Sequence, residues 1–503
     1  MWAAIVPAQA LFVLNAVNIA LLNTFNFYYI YVVSFFLVFC IGMALIPSIG
    51  KLTLGKLGEK PEFSNFSWFS MMFSAGMGIG LMVFSTAEPL WHFGGNPEII
   101  KGNVDPYTQE AVQSTFRYAF LHYGLHPWGV YVAVGLSMAY FSHVRHLPLT
   151  VRSSLAPLFG RHLNGYVGHI LDMTAIVATL LGVAVTIGYG VSQLITGFDN
   201  LVELDWVMSS GADPVPTKIS LITVLIVVML LSTISAATGI GRGIKYLSNL
   251  NLGLSLILLC VFLFSGSLIF SLTLFGSALI DYFLTLPITS FEVFKSDTSL
   301  GDWQESGTIM YWAWWIAFAP FVGLFLARIS KGRSIREFVF GALLAPAIMC
   351  FIWLVLLGGA AVDLELSGLA NGRIIDATPS AQLFETLNVL LSSGMASLVS
   401  AMAAVLILTF LITSADSGVL VLNTIMAGGN QHSAIKHRFV WGLILTLVIG
   451  TLLMVGNGGL EALQKAMIIG ALPFSMVMVL MCVSVAKEIV GDKKRKVLAA
   501  RKA

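Results

Sequence analysis

The sequence predicts an all-α polytopic membrane protein with twelve transmembrane helices arranged as two inverted five-helix repeats. Three observations carry this. The 503 residues are 57% hydrophobic and only 10% charged, with a mean hydropathy of +0.88, a composition outside the range of water-soluble domains. Lysine and arginine alternate from one connecting segment to the next. Two apolar segments, five spans apart, carry helix-breaking signals near their middles.

Twelve apolar runs are long enough to cross a bilayer: about 3–22, 27–48, 66–87, 118–141, 168–195, 218–238, 250–276, 306–327, 338–361, 393–425, 439–456 and 464–486. The first charged residue is Lys51. Without a basic n-region the N-terminus does not read as a cleaved signal peptide. With the N-terminus placed in the cytoplasm, the six cytoplasmic segments hold 21 of the 27 Lys and Arg residues, and Asp and Glu run the other way. Every connection then obeys the positive-inside rule, which puts both termini in the cytoplasm. The net charge of +2 gives no reason to expect nucleic acid. The basic run Lys493-Lys494-Arg495-Lys496 suits the anionic lipid leaflet. Cys40, Cys260, Cys350 and Cys482 are scattered through apolar runs, without metal or disulfide spacing.

The chain divides into two N-terminal helices and a loop (1–65), a first five-helix unit (66–276), a segment with an interfacial helix on the outer side (277–305), a second unit (306–486) and a short basic tail (487–503). The outer segment owes its helix to the apolar stretch Ile280–Phe294, which is too short to span. Span 3 contains Gly76-Met77-Gly78-Ile79-Gly80, and span 8 contains Tyr311-Trp312-Ala313-Trp314-Trp315 followed by Pro320 and Gly323. Alternating glycines favour unwinding. An odd separation of five gives the two units opposite orientations, and interrupted helices in corresponding positions point to a site near mid-bilayer.

Three of the eleven tryptophans fall within four residues of span 8. At helical spacing Tyr311, Trp314, Trp315 and Phe318 form one stripe, with Trp312 at its border. In span 4, Tyr123, Trp128 and Tyr131 surround His126-Pro127, where proline predicts a kink. Together these rings can wall a cage for a cation, each face contributing about 0.5–2 kcal/mol once water is excluded. The acids inside the predicted spans are Asp172 and Asp416, and neither lies in the aromatic segments. A zwitterion brings its own counter-charge, and its carboxylate can meet backbone N–H groups freed at Gly76, Met77 and Gly78. Such a cage suits a compact quaternary-ammonium zwitterion.

Span 10 carries Phe410-Leu411-Ile412-Thr413-Ser414-Ala415-Asp416-Ser417. Its hydroxyls, with carbonyls near Ser74 and Met77 in the unwound span 3, offer the oxygen shell that a hard monovalent cation such as sodium prefers. Asp416 is a functional candidate as an intramembrane carboxylate.

These residues resemble the betaine/choline/carnitine transporters. The resemblance runs over about 48–488 and rests on Lys60-Pro61-Glu62-Phe63-Ser64, Gly76–Gly80 with Glu88-Pro89, His126-Pro127-Trp128, Gly243-Ile244-Lys245-Tyr246-Leu247-Ser248-Asn249, the tryptophan motif with Ala327-Arg328-Ile329-Ser330, and Thr413-Ser414-Ala415-Asp416-Ser417. It implies a LeuT-like fold of inverted repeats, a homotrimer in the bacterial plasma membrane, and alternating access around an aromatic box on Tyr123, Trp128, Tyr131, Trp314, Trp315 and Phe318. It also implies a sodium site from the carbonyls of Ser74, Met77 and Phe410 and the hydroxyls of Thr413 and Ser414. A second, weakened sodium site would fall on Thr179 and Phe321, because Val183 brings no hydroxyl there. Gly80 sides with sodium-coupled members; proton-coupled and exchanging members tend to carry aspartate at that position. Tyr123 and Phe318 stand where betaine-specific relatives often have tryptophan. The expected activity is sodium-coupled import of glycine betaine or a related compatible solute. The alternative is a sodium-independent exchanger or proton-driven carrier of choline or carnitine. No catalytic spacing suggests an enzyme.

Overall fold

Leucine-, alanine- and isoleucine-rich runs with little water to bond their backbone must satisfy every peptide group within the segment, and helices do that. In the computed structural model, which describes residues 2–502 apart from 57, 77, 203, 212–213, 239–244, 430–434 and 456–459, the described chain is helical, with two isolated bridges and no strand. Fifteen α-helices of nine residues or more are described: α1 Pro7–Leu45, α2 Asn65–Gly76, α3 Ile79–Gly94, α4 Ala111–Tyr123, α5 Leu125–Ala139, α6 Tyr166–Leu201, α7 Lys218–Thr238, α8 Lys245–Ser265, α9 Leu268–Thr289, α10 Met310–Ile329, α11 Ile335–Leu366, α12 Gln382–Leu390, α13 Ser393–Met426, α14 Ile435–Leu453 and α15 Leu460–Lys502. Ten helical stretches among the described residues are long and apolar enough to cross a membrane.

The runs expected as spans 1 and 2 form one continuous helix, α1, because the polar stretch between them, Asn23-Thr24-Phe25-Asn26, holds no glycine or proline to break it. The runs expected as spans 3 and 4 are not among those ten, because each is two shorter helices. The first divides between α2 (12 residues) and α3 (16 residues), where Gly78 takes φ −156° and ψ −143°. The second divides at Gly124, not at the expected Pro127. Gly124 has φ −89° and ψ −131°. Pro127 falls in the first turn of α5, where a missing N–H leaves no helical bond unmade. The freed Leu125 N–H is taken up by the Tyr282 hydroxyl at 3.0 Å.

The run over 250–276 also differs from the expected single span. It ends as α8 at Ser265, and after Gly266 the Ser267 hydroxyl caps a new helix by accepting from Phe270 N–H at 3.3 Å. That helix, α9, takes up much of the stretch expected to be interfacial. It is one of the ten long apolar helices, docked on α4 by a two-bond Arg117–Asp281 pair at 2.7 and 2.9 Å.

The core lies where α10 packs on α5, α6 on α13, and α3 on α11. The α10–α5 approach needs glycine, since a Cβ on Gly323 would sit 2.5 Å from Val134 Cγ1 and 3.1 Å from the Gly135 nitrogen. At the end of α10, the buried Arg333 lies 3.9 Å over the Trp68 ring and donates to Asn65 Oδ1 at 2.8 Å. Trp68 Nε1 donates to Ser330 at 3.0 Å. These contacts tie the start of α2 to the α10–α11 turn.

Candidate functional site

The stripe on α10 faces the α3–α5 region. Trp314 and Trp315 lie parallel, 5.3 Å apart at 4°. Tyr123 and Tyr131 present their edges to Trp315 at 5.5 and 6.2 Å, and Trp128 stands edge-on to Tyr131 at 5.5 Å. Phe318 sits one turn further on, edge-on to Phe321 at 4.9 Å. Tyr123, Trp128, Tyr131, Trp314, Trp315 and Phe318 all line one cavity of about 600 Å³, so the structure brings the six rings together.

The N–H groups of the two central indoles are taken up by the protein. Trp314 Nε1 donates to Thr186 Oγ1 and Trp315 Nε1 to the His122 carbonyl, both at 3.0 Å. These rings therefore offer π faces without a free N–H donor, a surface suited to a cation that cannot itself hydrogen-bond. The cavity continues past Phe321 to Ser248, Asn249, Thr424 and Arg328. Arg328 is the one charged side chain among its described lining residues.

The break between α2 and α3 lies across this space. A Cβ on Gly80 would stand 3.5 Å from Trp314 Cη2, and one on Gly78 would stand 3.6 Å from Ser414 Oγ. Gly78 thus faces α13 and Gly80 the tryptophan wall. Phe410, Thr413 and Ser414 line the same cavity. Thr413 Oγ1 donates to the Thr409 and Phe410 carbonyls (3.0 and 3.1 Å) and accepts from Asn251 Nδ2 at 3.3 Å. Gly76 closes α2. Met77 lies outside the described residues, as does the side chain of Ser74. Thr179 is buried and donates to the Ala175 carbonyl at 2.8 Å. Val183 packs on Gly418, and Phe321 lines the cavity.

Trp312 stands apart from this arrangement. It is buried and stacked on His126 at 5.2 Å, and it is not among the cavity-lining residues. The two expected intramembrane acids also lie elsewhere. Asp172 pairs with Arg152, and Asp416 accepts from Ser235 on α7 at 2.7 Å.

An acid does lie behind the cage: Glu88, part of the family resemblance but just past the expected end of span 3 at residue 87. Helix α3 continues to Gly94, which buries Glu88 at 2% exposure. Glu88 Oε1 is met by His92 Nε2 at 2.9 Å and His122 Nδ1 at 2.6 Å, and Oε2 accepts from the Tyr311 hydroxyl. His122 Nε2 is 2.9 Å from Thr308 Oγ1. One ligand atom from each of Glu88, His92 and His122 lies within 4.8 Å of the others, a spacing open to a metal ion but here closed by direct hydrogen bonds. The i, i+4 pair Glu88–His92 was the available signal.

The description "BCCT, betaine/carnitine/choline family transporter" matches residues 1–494. This chain belongs to the BCCT family. It is 37% identical over 452 residues to the glycine betaine transporter OpuD of Bacillus subtilis, covering 90% of this chain and 84% of that protein. It is 37% identical over 447 residues to a glycine betaine transporter of Acinetobacter baylyi, covering 88% of this chain but 64% of that longer protein. It is 38% identical over 451 residues to an ectoine/hydroxyectoine transporter of Virgibacillus pantothenticus, covering 88% and 85%. Like its family, this BCCT chain is a multi-pass membrane transporter and not an enzyme.

Proposed function

We propose that this BCCT member imports a trimethylammonium zwitterion, glycine betaine or a close relative, by sodium symport. The observation that carries the reading is the ring of aromatic faces lining one cavity, with both central indole N–H groups bonded to protein. A quaternary ammonium group offers no donors and wants only such faces. The carboxylate end meets the break between α2 and α3, where N–H groups at the start of α3 have no intrahelical partner. The family and the two glycine betaine transporters among its relatives support the same substrate class. The ectoine/hydroxyectoine relative, with Tyr123 and Phe318 in the cage, makes a cyclic compatible solute the competitor to test.

Sodium binds where Ser414 approaches Gly78, using the hydroxyls of Thr413 and Ser414 and the carbonyls of Ser74, Met77 and Phe410. Oxygen atoms alone make up this donor set, which fits a hard cation. Ion binding there holds the turn against α13 and so pre-forms the substrate end of the cage, which is thermodynamic coupling between the two sites. A weaker second ion site lies at Thr179 and Phe321. The surrounding fold is twelve spans, ten of them in LeuT-like inverted repeats, as a homotrimer with both termini in the cytoplasm of a bacterial cell. Substrate leaves along the cavity arm toward Arg328, on the side where the connecting segments are basic.

Radiolabelled glycine betaine uptake into proteoliposomes tests this directly. Uptake several-fold above background with an inward sodium gradient, and near background without it, is expected. Equal uptake in both conditions would refute sodium coupling and favour the exchanger reading.

A further inference from the structure

Glu88 has no place in the cage described above, yet its contacts lead into two of the cage walls. Its Oε2 takes the Tyr311 hydroxyl. The Tyr311 ring lies nearly parallel to Trp314 and Trp315, 6.3 Å at 21° and 6.0 Å at 24°, and edge-on to Tyr123 at 5.4 Å. The Tyr123 hydroxyl in turn is 3.5 Å from the Tyr311 oxygen. Through His122, whose Nδ1 bonds Oε1 and whose carbonyl holds the Trp315 indole, the same carboxylate reaches the second wall.

The hydrogen-bond pattern fits one charge state of the group. With the proton on His92 Nε2 and on His122 Nδ1, three donors converge on the two Glu88 oxygens, an environment for an acceptor-only, ionised carboxylate. Neither histidine needs to be an imidazolium. His92 Nδ1 has no hydrogen-bond partner among the described residues, so protonating it would bury an unmatched N–H, and His122 Nε2 faces a hydroxyl that can donate to it. No Lys or Arg pairs with Glu88 among the described residues. A buried anion without a full counter-charge is costly. A cation held on the far side of Tyr311, Trp314 and Trp315 lowers that cost. Donation of the phenol O–H into a carboxylate also enriches in electrons the Tyr311 ring, which does not line the cavity but stacks on Trp314 and Trp315, which do.

We infer that Glu88 is a specificity-determining residue of the transporter, a buried anion behind the cage that makes it select a positively charged trimethyl group over an uncharged group of the same shape. This rests on the cage reading proposed above. Glu88 acts through Tyr311 and His122 and does not itself line the cavity.

The test compares two ligands of equal shape, glycine betaine and 3,3-dimethylbutanoate, in which a quaternary carbon replaces the nitrogen. Binding of both is measured by titration calorimetry on purified protein in sodium buffer, for wild type, Glu88→Gln and Tyr311→Phe. Glutamine keeps the shape and the acceptor for the histidines while removing the charge. Phenylalanine keeps the ring and cuts the contact to Glu88, so it carries the test if the glutamine variant does not fold. Wild type is expected to prefer glycine betaine strongly. Glu88→Gln is expected to reduce that preference about tenfold, and Tyr311→Phe to reduce it less, in the same direction. A general loosening would weaken both ligands alike and leave the ratio intact, and an unchanged ratio in both variants overturns the inference alone. Wild-type protein that does not prefer the charged ligand overturns the cage reading, and this inference with it.

Discussion

Two helices of this transporter are broken at glycine, and the breaks end in different ways. At Gly124 the gap between α4 and α5 is filled. A Cβ there would meet the Phe120 carbonyl at 2.4 Å, the Tyr282 hydroxyl at 2.7 Å and Phe351 Cζ at 2.8 Å, while Tyr282 takes the freed Leu125 N–H. Gly78, between α2 and α3, lines the cavity, and a Cβ there would stand an ordinary 3.6 Å from Ser414 Oγ. Interrupting a helix frees polar backbone groups in both places. Where the protein supplies the partners itself, the break is a structural joint. Where the break instead lines a cavity of aromatic faces and hydroxyls, it can serve a ligand.

Substituting the two glycines should separate these roles. Gly124→Ala forces a methyl group into backbone and two packed side chains, and the account predicts the larger effect there: a loss of about 2–4 kcal/mol in stability, the range for overpacked or strained cores. Fluorescence-detected size-exclusion after a heating series should show a sharply lower apparent melting temperature. Gly78→Ala makes only ordinary contacts and should leave the melting profile near wild type. Alanine favours helix over glycine by about 1 kcal/mol, so this change should bias the open turn toward closure and lower uptake several-fold. If Gly78→Ala unfolds the protein while Gly124→Ala does not, the comparison is reversed.

A smaller effect is expected at the edge of the open break. Ser414→Ala removes one oxygen of the proposed ion site without touching the aromatic rings. The sodium concentration for half-maximal uptake should rise about tenfold, equivalent to roughly 1.4 kcal/mol, with saturating uptake less affected. An unaltered sodium dependence would place the ion elsewhere.

Sequence reasoning reached one of these breaks better than the other. The glycine repeat at Gly76–Gly80 is visible as poor helix-forming chemistry, and the structure divides span 3 there. In span 4 proline drew attention to residue 127. The decisive partner, Tyr282, is 157 positions away from Leu125, which no local rule can see. The aromatic stripe of Tyr311, Trp314, Trp315 and Phe318 was legible because helical spacing alone puts those rings on one side. Trp312, expected among the binding residues from a border position that can turn either way, packs on His126 and does not line the cavity. Glu88 was hidden for two reasons. A hydropathy window ends a span at the first acid, and its partners Tyr311 and His122 lie 223 and 34 residues away. The division of 250–276 at Gly266 was likewise masked by continuous apolarity on both sides of it.

The most direct test of the central claim is titration calorimetry of glycine betaine into purified wild type and Trp315→Ala, in saturating sodium. Trp315 contributes an aromatic face to the cage, while its N–H is held by the His122 carbonyl outside the cavity. Removing a desolvated cation–π face costs about 2 kcal/mol, so affinity should fall by roughly 30-fold or more, with the protein still folded by size-exclusion. Affinity within twofold of wild type would contradict the cage.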